Sequence, residues 1–182
     1  MRWMDYALQR WRSKMAESYV QPGDTLLDIG CYDGLFLARV QNKVARAVGV
    51  DRILPDVLIS QVQRQLLISD VTQGLPFPSC YFDIVALLAV LEHLQNNKAV
   101  VREIGRVLRP GGRVVLTVPG NEVDRVLEWL IKLGLADGMS LEEHHGYQAK
   151  DTPHLFESQG FALQNWQRFQ WGLNNLFVFQ KL

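Results

Sequence analysis

The chain has no surplus of charge of either sign, with Lys+Arg and Asp+Glu numbering 19 each in 182 residues. A protein that neutralises a nucleic-acid backbone or coats an anionic lipid surface usually carries excess cations, so both partner classes are disfavoured. Cysteine is scarce too. Cys31 and Cys80 make no disulfide framework, which predicts a reducing, cytoplasmic compartment. No apolar run approaches the roughly 20 residues of a membrane-spanning helix. The stretch up to Lys14 carries Arg2, Asp5, Arg10 and Arg12, which leaves no signal-peptide core. Also missing are the glycines of a phosphate-binding turn. A dinucleotide fingerprint needs glycine at the first, third and sixth positions, and here those are Gly30, Tyr32 and Leu35. Tyr32 would obstruct a pyrophosphate lying against the turn, and no Walker-type loop with its lysine occurs. A nicotinamide-dependent oxidoreductase is therefore disfavoured.

What is present is a strand, a tight turn, a helix and a second strand ending in an acid. Leu26, Leu27 and Ile29 surround Asp28, the chain turns through Gly30-Cys31-Tyr32-Asp33-Gly34, and Leu35, Phe36, Leu37 and Val40 resume with helical spacing. Ala45 to Val50 then reads as a strand ending at Asp51. An acid about 20 residues beyond such a turn, at the tip of the next parallel strand, is placed to bind both hydroxyls of a ribose. Asp28 and Asp33 would repel phosphate and suit a cationic ligand. S-adenosylmethionine fits: it has one ribose, an ammonium, a sulfonium and no phosphate.

Hydrophobic content of 48% and charged content of 21% are ordinary for a globular protein, and the length predicts one domain. Met4, Leu8, Trp11 and Met15 predict an amphipathic helix within residues 1–20. Leu66 to Ser69 predicts the third strand and Phe82 to Leu88 a buried fourth. Pro55 limits any helix between strands two and three to about Asp56–Gln63. Gln95 to Leu108 predicts a helix ended by Pro110-Gly111-Gly112, and Val114 to Val118 the fifth strand. Asn121 can cap a further helix striped by Val123, Val126, Leu127, Leu130 and Ile131. Asp151-Thr152-Pro153 opens a short helix closed by Gly160. Phe161–Phe169 and Leu176–Phe179 complete the chain as strands joined by Gly172-Leu173-Asn174-Asn175. So short a link requires an antiparallel pair, and the alternation before it requires a mostly parallel, doubly wound α/β sheet with helices on both faces.

The stretches L-L-D-I-G-C-Y-D-G (26–34), G-V-D (49–51), S-D-V (69–71), L-P-F-P-S-C-Y-F-D-I-V (75–85), L-E-H-L (91–94) and L-R-P-G-G-R-V-V-L-T-V-P (108–119) occur together and in order. In this the chain resembles the class I S-adenosylmethionine-dependent methyltransferases, of the small-molecule group similar to ubiquinone and menaquinone biosynthetic methyltransferases, over roughly residues 20–120. Tyr32 departs from that pattern, standing where the family's loop has its middle glycine. The resemblance implies a Rossmann-like seven-stranded sheet of order 3-2-1-4-5-7-6 with strand 7 reversed. It divides the single domain into an N-terminal helix (1–20), a cofactor-binding core (24–119), a helix and substrate-cover segment (120–160) and a C-terminal strand pair (161–182). It implies S-adenosylmethionine as cofactor and a small-molecule methyl acceptor, with no nucleic-acid or membrane partner.

In open α/β sheets ligands bind beyond the carboxyl ends of the strands, where strand order switches. Expected there are Asp28, Gly30, Tyr32 and Gly34 in the first loop, Asp51 on the ribose, Asp70 and the Val71 amide at the adenine, and Leu88 at the end of strand 4. The bland alternative for each acid is a solvated loop carboxylate. Glu92-His93 follows strand 4 where residues face cofactor or substrate, with an ordinary helix entry as the alternative. Enzymes that methylate exocyclic base amines carry Asp/Asn-Pro-Pro-Tyr/Phe here; Leu88-Ala89-Val90-Leu91 disfavours that class. Glu142, Glu143, His144 and His145 form an acid–imidazole cluster in Gly134–Tyr147, a segment expected to cover the site. His144, His145 and His93 are the candidate general bases, and a polar surface turn is the alternative for the cluster. A metal site is not expected, since no third ligand lies nearby in sequence. Trp3, Trp11 and Trp129 could wall a substrate, but on amphipathic helices core packing is the expectation. A non-catalytic module that keeps the cofactor fold is the rival reading.

Overall fold

The computed structural model describes residues 3–55, 65–120 and 147–182. Seven strands form one sheet: β1 (Thr25–Ile29), β2 (Arg46–Asp51), β3 (Leu66–Ile68), β4 (Phe82–Leu88), β5 (Leu108–Pro119), β6 (Phe161–Phe169) and β7 (Asn174–Lys181). Their order is β3-β2-β1-β4-β5-β7-β6. The first five run parallel, and β7 is antiparallel to both neighbours. This is the topology expected. The proposed helices within 56–63 and after Asn121 lie outside the described residues.

Side chains alternate across each strand, so β1 feeds two cores. Leu27 and Ile29 join Val85, Leu87, Val101, Ile104 and Phe156 on one face, beneath α3 (Asn97–Val107) and α4 (Thr152–Glu157). Leu26 joins Ile84, Ala86, Val115, Leu37 and Ala16 on the other, beneath α1 (Trp3–Glu17) and α2 (Leu35–Val40). Asn96 caps α3, its side chain accepting from the Ala99 amide at 3.2 Å. Arg113 staples the α1–β1 connection to the sheet, with bonds of 2.7 and 2.8 Å to the Asp24 carboxylate and 2.6 Å to the Tyr19 carbonyl.

Three expectations are adjusted. Pro110-Gly111-Gly112 does not separate α3 from β5. The strand begins at Leu108, directly after the helix, and the three residues form a bulge where pairing jumps from Phe82↔Leu108 to Ile84↔Arg113. Gly112 is held there by crowding, since a Cβ would stand 2.8 Å from the Arg109 carbonyl oxygen. The final hairpin turns earlier than its glycine–asparagine run suggests, at Gln170–Leu173, with Asn174 and Asn175 already in β7. Trp11 is not core. Ser13 and Ala16, small and at most 2% exposed, let α1 approach the sheet, and the indole is displaced to the flank.

Candidate functional site

Strand order switches between β1 and β4, and the loops leaving β1, β2, β3 and β4 meet there. After Ile29 the chain turns at Gly30 (φ +75°), whose amide and that of Cys31 donate to the Val50 carbonyl at 2.8 and 3.3 Å. A Cβ on Gly30 would stand 2.2 Å from Val90 Cγ2, so glycine is needed first for the protein's own closure at this point. Tyr32 adopts φ +46°, the left-handed region that glycine occupies freely and other residues rarely. The loop therefore keeps a glycine-like path with a tyrosine in it, and the ring is 38% exposed. Gly34 (φ +85°) begins α2, and Asp33 Oδ1 accepts from the Leu35 amide at 3.0 Å.

Asp51, at the tip of β2, ties two loops together. Its Oδ2 accepts from the Tyr32 amide at 2.8 Å and its Oδ1 from the Ile53 amide at 3.2 Å. An ionised carboxylate offers about four lone-pair positions, so acceptor capacity remains after both bonds. At the end of β3, Asp70 caps a single turn, Val71–Gln73, its Oδ1 accepting from the Thr72 amide at 2.9 Å and hydroxyl at 2.7 Å. The Thr72 hydroxyl first and its amide second hold the Asp70 carboxyl below its usual range, and Arg52 adds to this. After β4, Ala89 takes φ +61° and donates to the Thr117 carbonyl. A second single turn, Leu91–His93, follows.

Gly30, Asp51, Asp70, Val71 and His93 line one cleft, together with Ile29, Val50, Arg52, Ser69, Ala89, Val90 and Leu94. Asp28, Tyr32, Gly34 and Leu88 are not among its lining residues. Asp28 is buried on the α1–α2 face beside the first loop, and Leu88 packs against that face's core. His144 and His145 lie outside the described residues. The residues after Leu87 were expected on this crevice as a group, and Ala89 and Val90 are the ones that line it; Arg52 was not foreseen.

The electrostatics divide the site. Burial, then Asp51, then Asp33 push the Asp28 carboxyl well above its ordinary range, so this end is short of positive charge. On the other side, Glu92 is 3% exposed. Burial pushes its carboxyl up to about 7, against the pull of its own amide and of Arg12 on α1. Its Oε2 is buried and makes no hydrogen bond. Tyr147 belongs to the same cluster. Its hydroxyl donates to Thr152 Oγ1 at 2.9 Å, and burial foremost raises its pKa to about 12, with Asp151 and Glu92 contributing. Trp11 and Trp171 meet edge to face, centroids 5.3 Å apart.

Against known proteins, a family model described as a methyltransferase domain matches residues 1–165. The chain is 31% identical over 150 residues to the 27-O-demethylrifamycin SV methyltransferase of Amycolatopsis mediterranei, covering 70% of this chain and 53% of that one. It is 32% identical over 128 residues to the 2-phytyl-1,4-naphtoquinone methyltransferase of Synechococcus elongatus, covering 62% and 54%. The chain thus spans about half the length of these curated relatives. Among solved structures, the Burkholderia thailandensis 1,6-didemethyltoxoflavin-N1-methyltransferase, bound to 1,6-didemethyltoxoflavin and S-adenosylhomocysteine, superposes with a TM-score of 0.73 at 19% identity. That match covers 98% of this chain and 80% of that one. No helix among the described residues is long and apolar enough to cross a membrane.

Proposed function

We propose, from the premise that this chain belongs to the class I S-adenosylmethionine-dependent methyltransferases, that it transfers a methyl group from that cofactor to an oxygen, carbon or nitrogen nucleophile of a small molecule. The observation that carries this reading is Asp51. It stands at the tip of β2, in one cleft with Gly30 and Asp70, with acceptor capacity left for a vicinal diol. The charge pattern suits the same ligand. Burial first, then Asp51 and Asp33, raise the cost of ionising Asp28 beside the first loop, and a bound ammonium or sulfonium would relieve it where a pyrophosphate would aggravate it.

When bound, the cofactor supplies an activated methyl on a good leaving group. Positioning is then the protein's main contribution, bringing nucleophile and methyl carbon to about 3–3.5 Å on the line of displacement. Asp51 would fix the ribose, and the Val71 amide and Asp70 would meet the adenine edge. Asp28 would balance positive charge at the methionine end. His93 borders the cleft beside the β4 exit and is the described candidate to take a proton from a hydroxyl acceptor. His144 and His145 remain candidates for the same role, within a proposed cover formed by Gly134–Tyr147. We place the chain in the cytoplasm, a reading supported by its two free thiols, Cys31 and Cys80, and read residues 1–182 as one domain.

Thermal-shift titration tests the cofactor. S-adenosylmethionine and S-adenosylhomocysteine should stabilise the chain by mass action, and stabilisation by NAD alone would overturn the reading. Transfer of isotopic methyl from labelled cofactor into a small-molecule extract separates an enzyme from a module that only binds.

A further inference from the structure

Among the described residues three carboxylates are buried: Asp24, Asp28 and Glu92. Asp24 is held by the Arg113 guanidinium through two bonds, and Asp28 has a place in the charge balance of the methionine end. Glu92 has neither. It is 3% exposed, and its Oε2 is buried without a hydrogen bond. An unsatisfied buried oxygen costs stability that an apolar side chain of similar size would not. A residue kept at that cost calls for a function.

Its chain neighbours fix where Glu92 stands. In the single turn Leu91–His93 that follows β4, Leu91 joins the core, while Val90 before it and His93 and Leu94 after it line the cleft. Glu92 is therefore directly behind the β4 wall. That wall meets the first loop, since a Cβ on Gly30 would stand 2.2 Å from Val90 Cγ2. With the ribose on Asp51 and the adenine at Asp70, the part of the cofactor that carries sulfur falls to this β1–β4 junction. Arg12 of α1 acts on Glu92, Glu92 acts on Tyr147, and His93 shares the turn. Arg12 stays charged and Tyr147, with a pKa of about 12, stays neutral in ordinary buffers. Burial outweighs Arg12 and holds the Glu92 carboxyl at about 7, so both of its forms are accessible there.

We propose that Glu92 is the residue by which the site tells S-adenosylmethionine from S-adenosylhomocysteine: its carboxylate attracts the sulfonium through the β4 wall and gives nothing to the neutral thioether left after transfer. This rests on the methyltransferase reading above. The two ligands differ by one methyl group and one positive charge, so a fixed charge behind the wall can separate them without touching either. Salt screens poorly between groups kept from water. At an effective dielectric of about 20, a charge pair within about 10 Å shifts affinity roughly tenfold. The effect has a direction, because the ionised carboxylate holds the charged methyl donor and favours release of the spent cofactor.

Calorimetric titration of the full chain with each ligand, near pH 5.5 and near pH 8.5, tests this. In wild type the ratio of the two affinities should move toward S-adenosylmethionine by roughly tenfold on going to the higher pH. Glu92→Gln removes the charge with little change of shape. It should bind S-adenosylhomocysteine as wild type does, bind S-adenosylmethionine more weakly than wild type near pH 8.5, and show a ratio that no longer varies with pH. Sinefungin, which carries an amine cation where the cofactor has its sulfonium, should follow S-adenosylmethionine. A wild-type ratio independent of pH would overturn the proposal and leave the methyltransferase reading intact. So would a pH dependence that survives in Glu92→Gln, since it would then belong to Asp28 or His93. Failure of wild type to bind either form of the cofactor would remove both.

Discussion

The two halves of the sheet's carboxyl edge, one carrying most of the cleft and one beside it, are built by different means. On the β1–β2–β3 rim, carboxylates hold backbone amides: Asp51 takes Tyr32 and Ile53, Asp33 takes Leu35 and Asp70 takes Thr72. Apart from the Asp51–Tyr32 bond, which spans 19 residues, those contacts join residues two apart in sequence. On the β4–β5–β7 rim the contacts join distant segments. Gln170 bonds to Leu8, 162 residues away, and Arg12 on α1 acts on Glu92 after β4. The first rim is set by local turn chemistry and suits an invariant ligand. The second is assembled late from pieces of the fold, so its shape can change with the acceptor while the cofactor end stays fixed. Substitutions can break or sharpen that contrast.

The largest effect should come where the rims touch. Gly30→Ala puts a methyl into Val90 and keeps a positive φ. Backbone strain and overpacking together should cost roughly 2–5 kcal/mol in unfolding free energy. The double variant Gly30→Ala/Val90→Ala should recover the packing part but not the strain. Denaturant curves of the three proteins check this, and no recovery in the double variant would mean that the Val90 contact is not what requires glycine.

On the acceptor rim, Glu92 couples stability to pH. Its folded-state pKa of about 7 lies above the ordinary 4.5, so the native state holds its proton longer than the unfolded chain. Protonated Glu92 costs nothing extra. The stability present below pH 4.5 is lost progressively as pH rises from there to about 7, a window worth roughly 3 kcal/mol. Glu92→Gln cannot ionise. It should match wild type near pH 4.5 and exceed it at pH 8, by an amount that approaches that figure. A difference independent of pH would show that Glu92 does not titrate in this window. Affinity for S-adenosylhomocysteine at a given pH should not change.

Asp51→Ala tests the opposite rim. It removes a charged acceptor from the proposed ribose contact and two partners from loop amides. Calorimetry should show affinity for S-adenosylhomocysteine weaker by roughly 1.5–3 kcal/mol, with the chain still folded because Asp51 is half-buried at a strand tip. Unchanged affinity would reduce Asp51 to a loop tie.

The contrast explains what could be read from the residues alone. The sheet order was legible because strand polarity, crossover length and the final short link leave few topologies. Gly30, Asp51, Asp70 and Val71 were legible as cleft residues because one βαβ unit and the next strand tip fix them. The meeting of Trp171 with Trp11 was not legible, because nothing near either in sequence announces it; the bond from Gln170 to the Leu8 carbonyl brings the hairpin tip to α1. Trp11 was read as core because an apolar stripe does not reveal which flank a helix turns to the sheet once Ser13 and Ala16 allow close approach. The burial of Glu92 was hidden for the same reason, as Arg12 and Tyr147 reach it from opposite ends of the chain.

The smallest effect should be at Asp70, where charge and geometry can be separated. Its Oδ1 already serves the Thr72 amide and hydroxyl, so the second oxygen is the one left to meet a ligand donor. Asp70→Asn can keep its amide oxygen on Thr72 and the turn intact, but turns an NH₂ toward the cleft. If adenine offers its amino group there, donor faces donor, and affinity for S-adenosylhomocysteine should fall by about 0.5–1.5 kcal/mol, the worth of one ordinary hydrogen bond. Asp70→Ala loses the cap as well, so its melting temperature should drop where that of Asp70→Asn holds. The wild-type carboxyl sits below its usual range, so the stability it lends is present above the unfolded-state pKa and lost as pH falls through the folded-state value. In Asp70→Asn that acid-side loss should vanish. Equal affinity of wild type and Asp70→Asn would leave Asp70 as the cap of a turn, and the adenine edge would then rest on the Val71 amide alone.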